Sequence, residues 1–339
     1  MQADLDCVDV GWDRGRCVCV GLRGDDSALL GAYNLGELES LAPKFRIDSS
    51  GDSGVGIYAE GGFATGDLIW RERPLILIPS RPFPNIFVNI QTRLHPEELD
   101  TVMSLRNAHP CKVDAFEGTL RTNFIGVELS AGYDASYRAL FPMISRANHC
   151  CSSNATYRFD TDSFALELRA VRAITYNEQV CVQYIDVLRP RRERKRILRE
   201  LYWFGCLCPS CALPDESRAA AESDHRRHLI KAWSENHTTL ETWLYDRSLP
   251  EDLVEKDSVE LLEILRLEGL ECMERFALDT LCAALAASAK ETAFRTWALW
   301  AREAARIGGE WHPMVLYYDR TLDDPQSSPL WNARELFNP

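Results

Sequence analysis

Three cysteines fall within six residues in Cys206-Leu207-Cys208-Pro209-Ser210-Cys211. Thiolate sulfur is a soft metal ligand, and a C-x-C-x2-C run can present three of them to one point. A closed structural zinc site is tetrahedral, so a fourth ligand must come from elsewhere in the chain. Cys150 and Cys151 lie upstream beside His149 and supply that ligand if the chain folds back. The competing reading is three buried free thiols, since free cysteine packs as a small apolar residue. So dense a cluster favours metal.

Other residues able to do chemistry gather upstream of the cluster. Asn148-His149-x-Cys151-x-x-Asn154 puts amides, an imidazole and a thiol in one short run. Tyr184 follows thirty-five residues after His149, at the end of a strand-like run in which Val180, Val182 and Tyr184 share a face.

These residues resemble those of the SET-domain lysine methyltransferases. Asn148-His149-x-Cys151-x-x-Asn154 is similar to that family's N-H-S-C-x-P-N signature. Tyr184 resembles its catalytic tyrosine, and Cys206, Cys208 and Cys211 resemble its post-SET zinc cluster. Gly54 to Ala59, Gly66-Asp67 and Glu72-Arg73-Pro74 look like the opening of the same fold. Arg121-Thr122-Asn123 and Leu140-Phe141-Pro142 match the segment between. The resemblance covers roughly residues 45 to 214 and is nearest to fungal SET proteins related to the SMYD group. The MYND finger of that group is absent, because the segment where it would stand has a single cysteine, Cys111.

The resemblance implies an α+β fold. Its parts are a SET-domain β-fold of small sheets with a threaded pseudoknot, a post-SET zinc site and a C-terminal all-helical domain. It implies protein-lysine N-methylation from S-adenosylmethionine. Tyr184 would be catalytic, and Gly54, Val55, Gly56, Asn123, Asn148, His149, Tyr184 and Phe204 would bind the cofactor. Zinc would sit on Cys151, Cys206, Cys208 and Cys211. The partner implied is a lysine-bearing protein or peptide, histone or not. Three departures from the family pattern stand out: Cys150 replaces a serine, Ser153 a proline and Asn177 a glycine. Two alternatives follow: a weak or inactive SET-fold interaction module, or a SET-fold methyltransferase acting on a small molecule.

Methyl transfer from a sulfonium is an in-line displacement by a neutral amine. A free lysine has a pKa of about 10.4 and is protonated at neutral pH. A narrow apolar channel and the neighbouring sulfonium both disfavour the ammonium. The elements around Tyr184 therefore have to make an aromatic tunnel.

Those elements read in order along the chain. Residues 1–44 match no part of the family pattern and read as an appendage, with a strand over Arg16–Leu22 and a weak helix over Ser27–Leu41. Residues 45–205 form the catalytic unit, with short strands at Ile57–Ala59, Leu68–Trp70 and Leu75–Ile78. Helical spacing over about 80–120 marks an insert. Phe164–Ala170 alternates like a half-buried strand. Arg189–Phe204 is a helix with seven basic residues in its first eleven positions, read as a solvated face. Residues 206–214 are the zinc cluster. Residues 215–339 are helical, with stacking like that of tetratricopeptide repeats as one arrangement, and end in a loop-rich tail after Asp323. His225, His228 and His237 read as surface residues.

Net charge is −13 at pH 7. An acidic chain has no field to hold a phosphate backbone, so direct nucleic-acid binding is not expected. A basic peptide suits it better. The Met-Gln-Ala-Asp-Leu-Asp start lacks a signal-peptide pattern, and no apolar run is long enough to span a membrane. The expected location is intracellular, cytoplasmic or nuclear, with the twelve cysteines as thiols and metal ligands.

Overall fold

Short β-branched runs between glycine turns become strands, because each buries branched side chains on a pleated face. The computed structural model describes residues 6–12, 15–22, 38, 42–49, 51, 54–81, 85–129, 136–309 and 312–336. Among them lie β1 (Asp6–Trp12), β2 (Gly15–Leu22), β3 (Phe45–Ser49), β4 (Val55–Ala59), β5 (Leu68–Glu72) and β6 (Ile76–Pro79). After a helical stretch come β7 (Ile125–Glu128), β8 (Ser136–Leu140), β9 (Asn148–His149), β10 (Ala155–Asp160), β11 (Ala165–Ala170) and β12 (Gln179–Val182). They form three small sheets with strand orders β1-β2-β6-β8-β7, β10-β11-β5 and β3-β4-β12-β9. The architecture is mixed α+β.

The N-terminal hairpin is part of the first sheet. β2 runs parallel to β6, pairing Val18 with Ile76 and Cys19 with Leu77. Val18 and Val20 pack with Ile76, Ile78 and Ile86, while Cys17 and Cys19 enter the core on the other face. Alternation along one strand therefore serves two cores. The helix read over Ser27–Leu41 lies outside the described residues except for Leu38.

β11 differs from its half-buried expectation, since all six of its residues are buried. It is the central strand of its sheet, and its polar face is covered by an ion network. Glu167 accepts from Arg71 at 2.5 Å and from Arg169 at 2.8 Å. Arg169 also donates to the Gly66 carbonyl at 2.8 Å. The helix Glu291–Arg306 ends against this corner. A Cβ on Gly66 would fall 2.6 Å from the Arg306 Cβ, and Gly66 has φ +83°, so only glycine fits there.

Three helices, Ile86–Gln91, Pro96–Met103 and Ala115–Asn123, occupy the stretch between β6 and β7. Asp114 caps the last of them through the Phe116 N–H at 2.9 Å. Val102, Leu105, Phe116 and Leu120 bury against β2, β6 and β8.

At the end of β5 the Glu72 carboxylate accepts from the Met143 N–H at 2.9 and 3.0 Å and from the Ile144 N–H at 2.9 Å. It thereby holds the turn Ile144–Arg146 that leads into β9. Burial pushes its carboxyl from 4.5 up to about 7, against the pull of those N–H groups and of Arg146. The folded state therefore keeps a proton that the unfolded state has lost. That part of the stability is complete below pH 4.5 and falls as pH rises through 7. The loss should be at most about 3 kcal/mol. Denaturant midpoints at pH 5 and pH 7.5 should differ less in Glu72→Gln than in wild type. Equal differences in the two proteins would refute this.

Beyond the arginine-rich segment, the helices Arg218–Asn236, Leu253–Glu268, Glu274–Ala287, Glu291–Arg306 and Pro313–Asp323 pack mostly as sequence neighbours. Leu262, Leu265, Leu281, Leu285 and Phe294 make their shared core. Trp300, on the helix Glu291–Arg306, stays out of that core. It is exposed, with the Arg266 guanidinium 4.9 Å from its ring. The tail after Asp323 is more ordered than its composition suggests. It holds a 3-10 turn at Pro325–Ser327 and a short helix at Ala333–Leu336, with the Arg334 guanidinium 4.0 Å from the Trp243 ring. His237 stacks on Trp233 at 4.1 Å. No described helix is long and apolar enough to cross a membrane.

Candidate active site

Two strands bring the chemistry together. β9 pairs parallel with β12, setting Asn148 beside Cys181 and His149 beside Val182. Asn154 locks the return of the chain. Its Nδ2 donates to Glu178 Oε1 at 2.9 Å and to the Gln179 carbonyl at 2.8 Å, and its Oδ1 accepts from the Cys181 N–H at 2.8 Å. Asn177 turns the chain into β12 at φ 64°, a left-handed position that asparagine tolerates. Tyr184 follows β12. Its hydroxyl donates to the Ala147 carbonyl at 2.7 Å. Burial raises the phenol's pKa above its ordinary value, so the hydroxyl keeps its proton.

Tyr184 lies at a cavity of about 590 Å³. Gly54, Val55, Asn123, Asn148, His149 and Phe204 line it too. Gly56 does not. It pairs with Asp48 inside the β3–β4 ladder, one step back from the turn. Gly54 makes the turn itself, with φ +85° and its N–H donating to the Gly51 carbonyl at 3.0 Å. The Nδ2 of Asn123 donates to the carbonyls of Arg106 at 2.7 Å and Thr119 at 2.8 Å, which leaves its amide oxygen as the group to offer a ligand. Asn148 Nδ2 donates to the Val55 carbonyl at 3.2 Å, joining the two segments expected at one ligand.

Sequence reasoning missed several lining residues. Tyr157 on β10 and Tyr202 at the end of the arginine-rich helix face the cavity beside Tyr184, and the Tyr184 and Tyr202 rings are 5.0 Å apart. Arg106 and Arg146 line it as well, and no carboxylate does among the described residues. Tyr202 carried a signal, standing two residues before Phe204. The arginines carried none, because they come from the insert and from the turn before β9.

The His149 ring is placed differently from its expected side-chain contact with a ligand. Nδ1 accepts from the Tyr184 N–H at 3.0 Å, so the proton sits on Nε2. Nε2 lies 3.3 Å from Cys151 Sγ. Both ring nitrogens are thus used inside the protein, and the ring bridges Tyr184 to the cysteine cluster. Burial pulls its pKa down to about 4 and keeps it neutral.

The four sulfurs of Cys151, Cys206, Cys208 and Cys211 all lie within 4.8 Å of one another. A zinc tetrahedron with Zn–S of about 2.3 Å spaces its sulfurs about 3.8 Å apart. Cys151 and Cys211 are 3.5 Å apart. Cys150 stands outside the group, its thiol donating to the Ser152 carbonyl at 3.2 Å. The cluster is therefore completed by Cys151. Hydrogen bonds among these thiols pull Cys208 well below the ordinary thiol range and bring Cys211 down to about 7, while Cys151 and Cys206 are pushed up. A thiol is a weak acceptor, so donors such as His149 Nε2–H at the sulfurs suit thiolates. The donor set fits zinc.

The basic helix Arg191–Tyr202 is not a solvated face throughout. Arg191 and Arg194 are buried. Arg191 donates to the carbonyls of Cys211 at 3.2 Å and Leu213 at 2.7 Å. Buried carbonyls of the cysteine loop need donors, and these side chains supply them.

The chain is 30% identical over 176 residues to the histone-lysine N-methyltransferase set5 of Schizosaccharomyces pombe, spanning 52% of each protein. It is 39% identical over 87 residues to human protein-lysine N-trimethyltransferase SMYD5, covering 24% of this chain and 21% of that protein. It is 32% identical over 141 residues to bovine N-lysine methyltransferase SMYD2, covering 40% and 31%. Over these stretches the chain is similar to lysine methyltransferases. It spans about half the length of set5 and less of the other two. No family model matches it. In this chain, the glycine turn, Asn148 and Tyr184 surround one cavity, and His149 ties that cavity to four clustered cysteines.

Proposed function

We propose that this chain is an S-adenosylmethionine-dependent protein-lysine N-methyltransferase of the SET fold, with a threaded Asn148 segment and a post-SET zinc. The observation that carries the reading is the single cavity that gathers the Gly54 turn, Asn148 and the Tyr184 hydroxyl. Its volume lies within the range of about 300–1,000 Å³ usual for small-molecule sites. The relatives' names point to lysine on proteins, and the charge of −13 suits a basic peptide. The catalytic unit is assigned to residues 45–205, the zinc cluster to 206–214 and the helical part to 215–339. Thiols and a zinc cluster suit a reducing intracellular compartment.

The donor supplies an electrophilic methyl carried on a sulfonium. The backbone of Gly54 and Val55 would hold its methionine part, and the Asn123 oxygen would accept from its ammonium. Asn148 would hold the ribose and adenine side, with Phe204 beside it. The Tyr184 proton is committed to the Ala147 carbonyl, so the hydroxyl turns lone pairs toward the cavity. Lone pairs there accept from the lysine N–H and orient the amine for in-line attack. Tyr157, Tyr184 and Tyr202 wall the approach with aromatic surface. Arg106 and Arg146 add positive charge to its lining. Both features disfavour an ammonium and favour the neutral amine. Zinc would be held by Cys151, Cys206, Cys208 and Cys211 and would brace Phe204.

Titration calorimetry with S-adenosylmethionine tests the site. Wild type should bind, and Asn148→Ala should bind at least roughly tenfold more weakly, the loss of one or two hydrogen bonds. Circular dichroism should show the fold intact. Absence of binding by wild type would sink the reading, and unchanged affinity in the variant would remove Asn148 from the site.

A further inference from the structure

We infer that the guanidinium of Arg194 is built into the cysteine cluster as the counter-charge of a zinc tetrathiolate, so that the metal and the helix Arg191–Tyr202 hold each other in place. This rests on the zinc reading given above and adds a residue that the reading does not assign.

Arg194 is completely buried, with 0% of its surface exposed. One arm of its fork is accounted for. Nη1 donates to the carbonyls of Arg189 at 2.5 Å and Val187 at 3.4 Å, and lies 3.8 Å from Asp224. Nε and Nη2 have no hydrogen-bond partner. The same side chain lies against Cys211 and Cys151. Asp224, at 3.8 Å from Nη1, leaves those two donors open, and open donors on a buried cation cost several kcal/mol. Four neutral thiols would do little to offset that, because a thiol is a weak acceptor. Zinc with four thiolates carries a net charge of −2. The planar, delocalised fork of arginine can donate to two sulfurs at once, which a lysine cannot match.

The neighbouring arginines do not serve this role. Arg227 is also buried, but its Nε donates to Glu268 at 2.8 Å and its Nη1 donates to the carbonyls of Val187 at 2.7 Å and Cys151 at 3.4 Å. Arg191 holds the carbonyls of Cys211 and Leu213 and pairs with Asp215. These two brace the backbone of the ligand loops. Arg194 is the one of the three with open donors beside the cluster.

The test uses the full chain and compares wild type with Arg194→Met, Arg194→Lys and Arg191→Met. Zinc content is measured by elemental analysis, and zinc release is followed as coloured complex with excess 4-(2-pyridylazo)resorcinol. Wild type should hold about one zinc per chain. Arg194→Met should release it roughly 10- to 100-fold faster, as loss of an outer-shell partner does elsewhere. Arg194→Lys should fall between. Arg191→Met should lower the melting temperature yet release zinc at a rate near wild type, which separates charge compensation from general bracing. If Arg194→Met does not fold, the lysine variant carries the test. Release as slow as wild type in folded Arg194→Met, or in Arg194→Lys where methionine does not fold, overturns the proposal. So does equal acceleration by Arg191→Met. A wild-type protein without zinc overturns the zinc reading on which it stands.

Discussion

Tyr184→Phe should lower methyl transfer at least roughly 10- to 100-fold while leaving S-adenosylmethionine affinity within about twofold of wild type. The substitution keeps the ring, which packs 5.4 Å from His149 and 5.0 Å from Tyr202. It deletes a hydroxyl whose proton goes to the Ala147 carbonyl, on a side chain that lines the cavity. Removing that donor leaves Ala147 without it, so a stability loss of about 1 kcal/mol should accompany the kinetic effect. The donor's polar anchors, Asn123 and Asn148, are untouched. Labelled donor, a panel of lysine-bearing proteins and peptides, and calorimetry on both proteins give the comparison. Full turnover by the variant would refute the assigned role. A wild type that binds donor and turns nothing over would move the reading to an interaction module.

Part of the site was legible because its spacing is local. Asn148, His149, Cys151 and Asn154 sit in one short run, and three cysteines in another. What each side chain does there was less legible. His149 could be named as a site residue, but that its ring faces inward depends on the parallel register of β9 and β12. Two strands that meet across the chain have no sequence signature for their register. Gly56 looked equivalent to Gly54, and the β3–β4 ladder separates them. The N-terminal alternation at Val18 and Val20 showed a strand, not its neighbour. Its parallel partner β6 lies more than fifty residues on.

The basic helix shows another limit. Arg191 and Arg194 are identical in type to their solvated neighbours, although helical spacing puts them on the face of Leu198 and Tyr202. They are buried because the cysteine loop offers carbonyls and sulfurs that need donors. Composition sees charge and infers water. Only the packed cluster shows that charge is wanted inside.

Cys208→Ser should lower zinc content, thermal stability and donor affinity together, and treatment with a strong chelator should do the same to wild type. Binding of a structural zinc is itself folding free energy. Losing one of four thiolates should destabilise by several kcal/mol, roughly 5–15 °C in melting temperature for a protein of this size. The effect should reach the cavity by two routes. Phe204, which lines it, stands two residues before Cys206. His149 loses the metal-bound thiolate of Cys151 as the acceptor for Nε2 while its Nδ1 still holds the Tyr184 N–H. The pattern differs from that of Tyr184→Phe, where turnover falls and binding stays. Elemental analysis, differential scanning calorimetry and donor titration on the same samples make the comparison. A metal-free Cys208→Ser protein that melts with wild type would rule the zinc site out. Full metal loss with unchanged donor affinity would leave the site standing and break the link through His149 to the cavity.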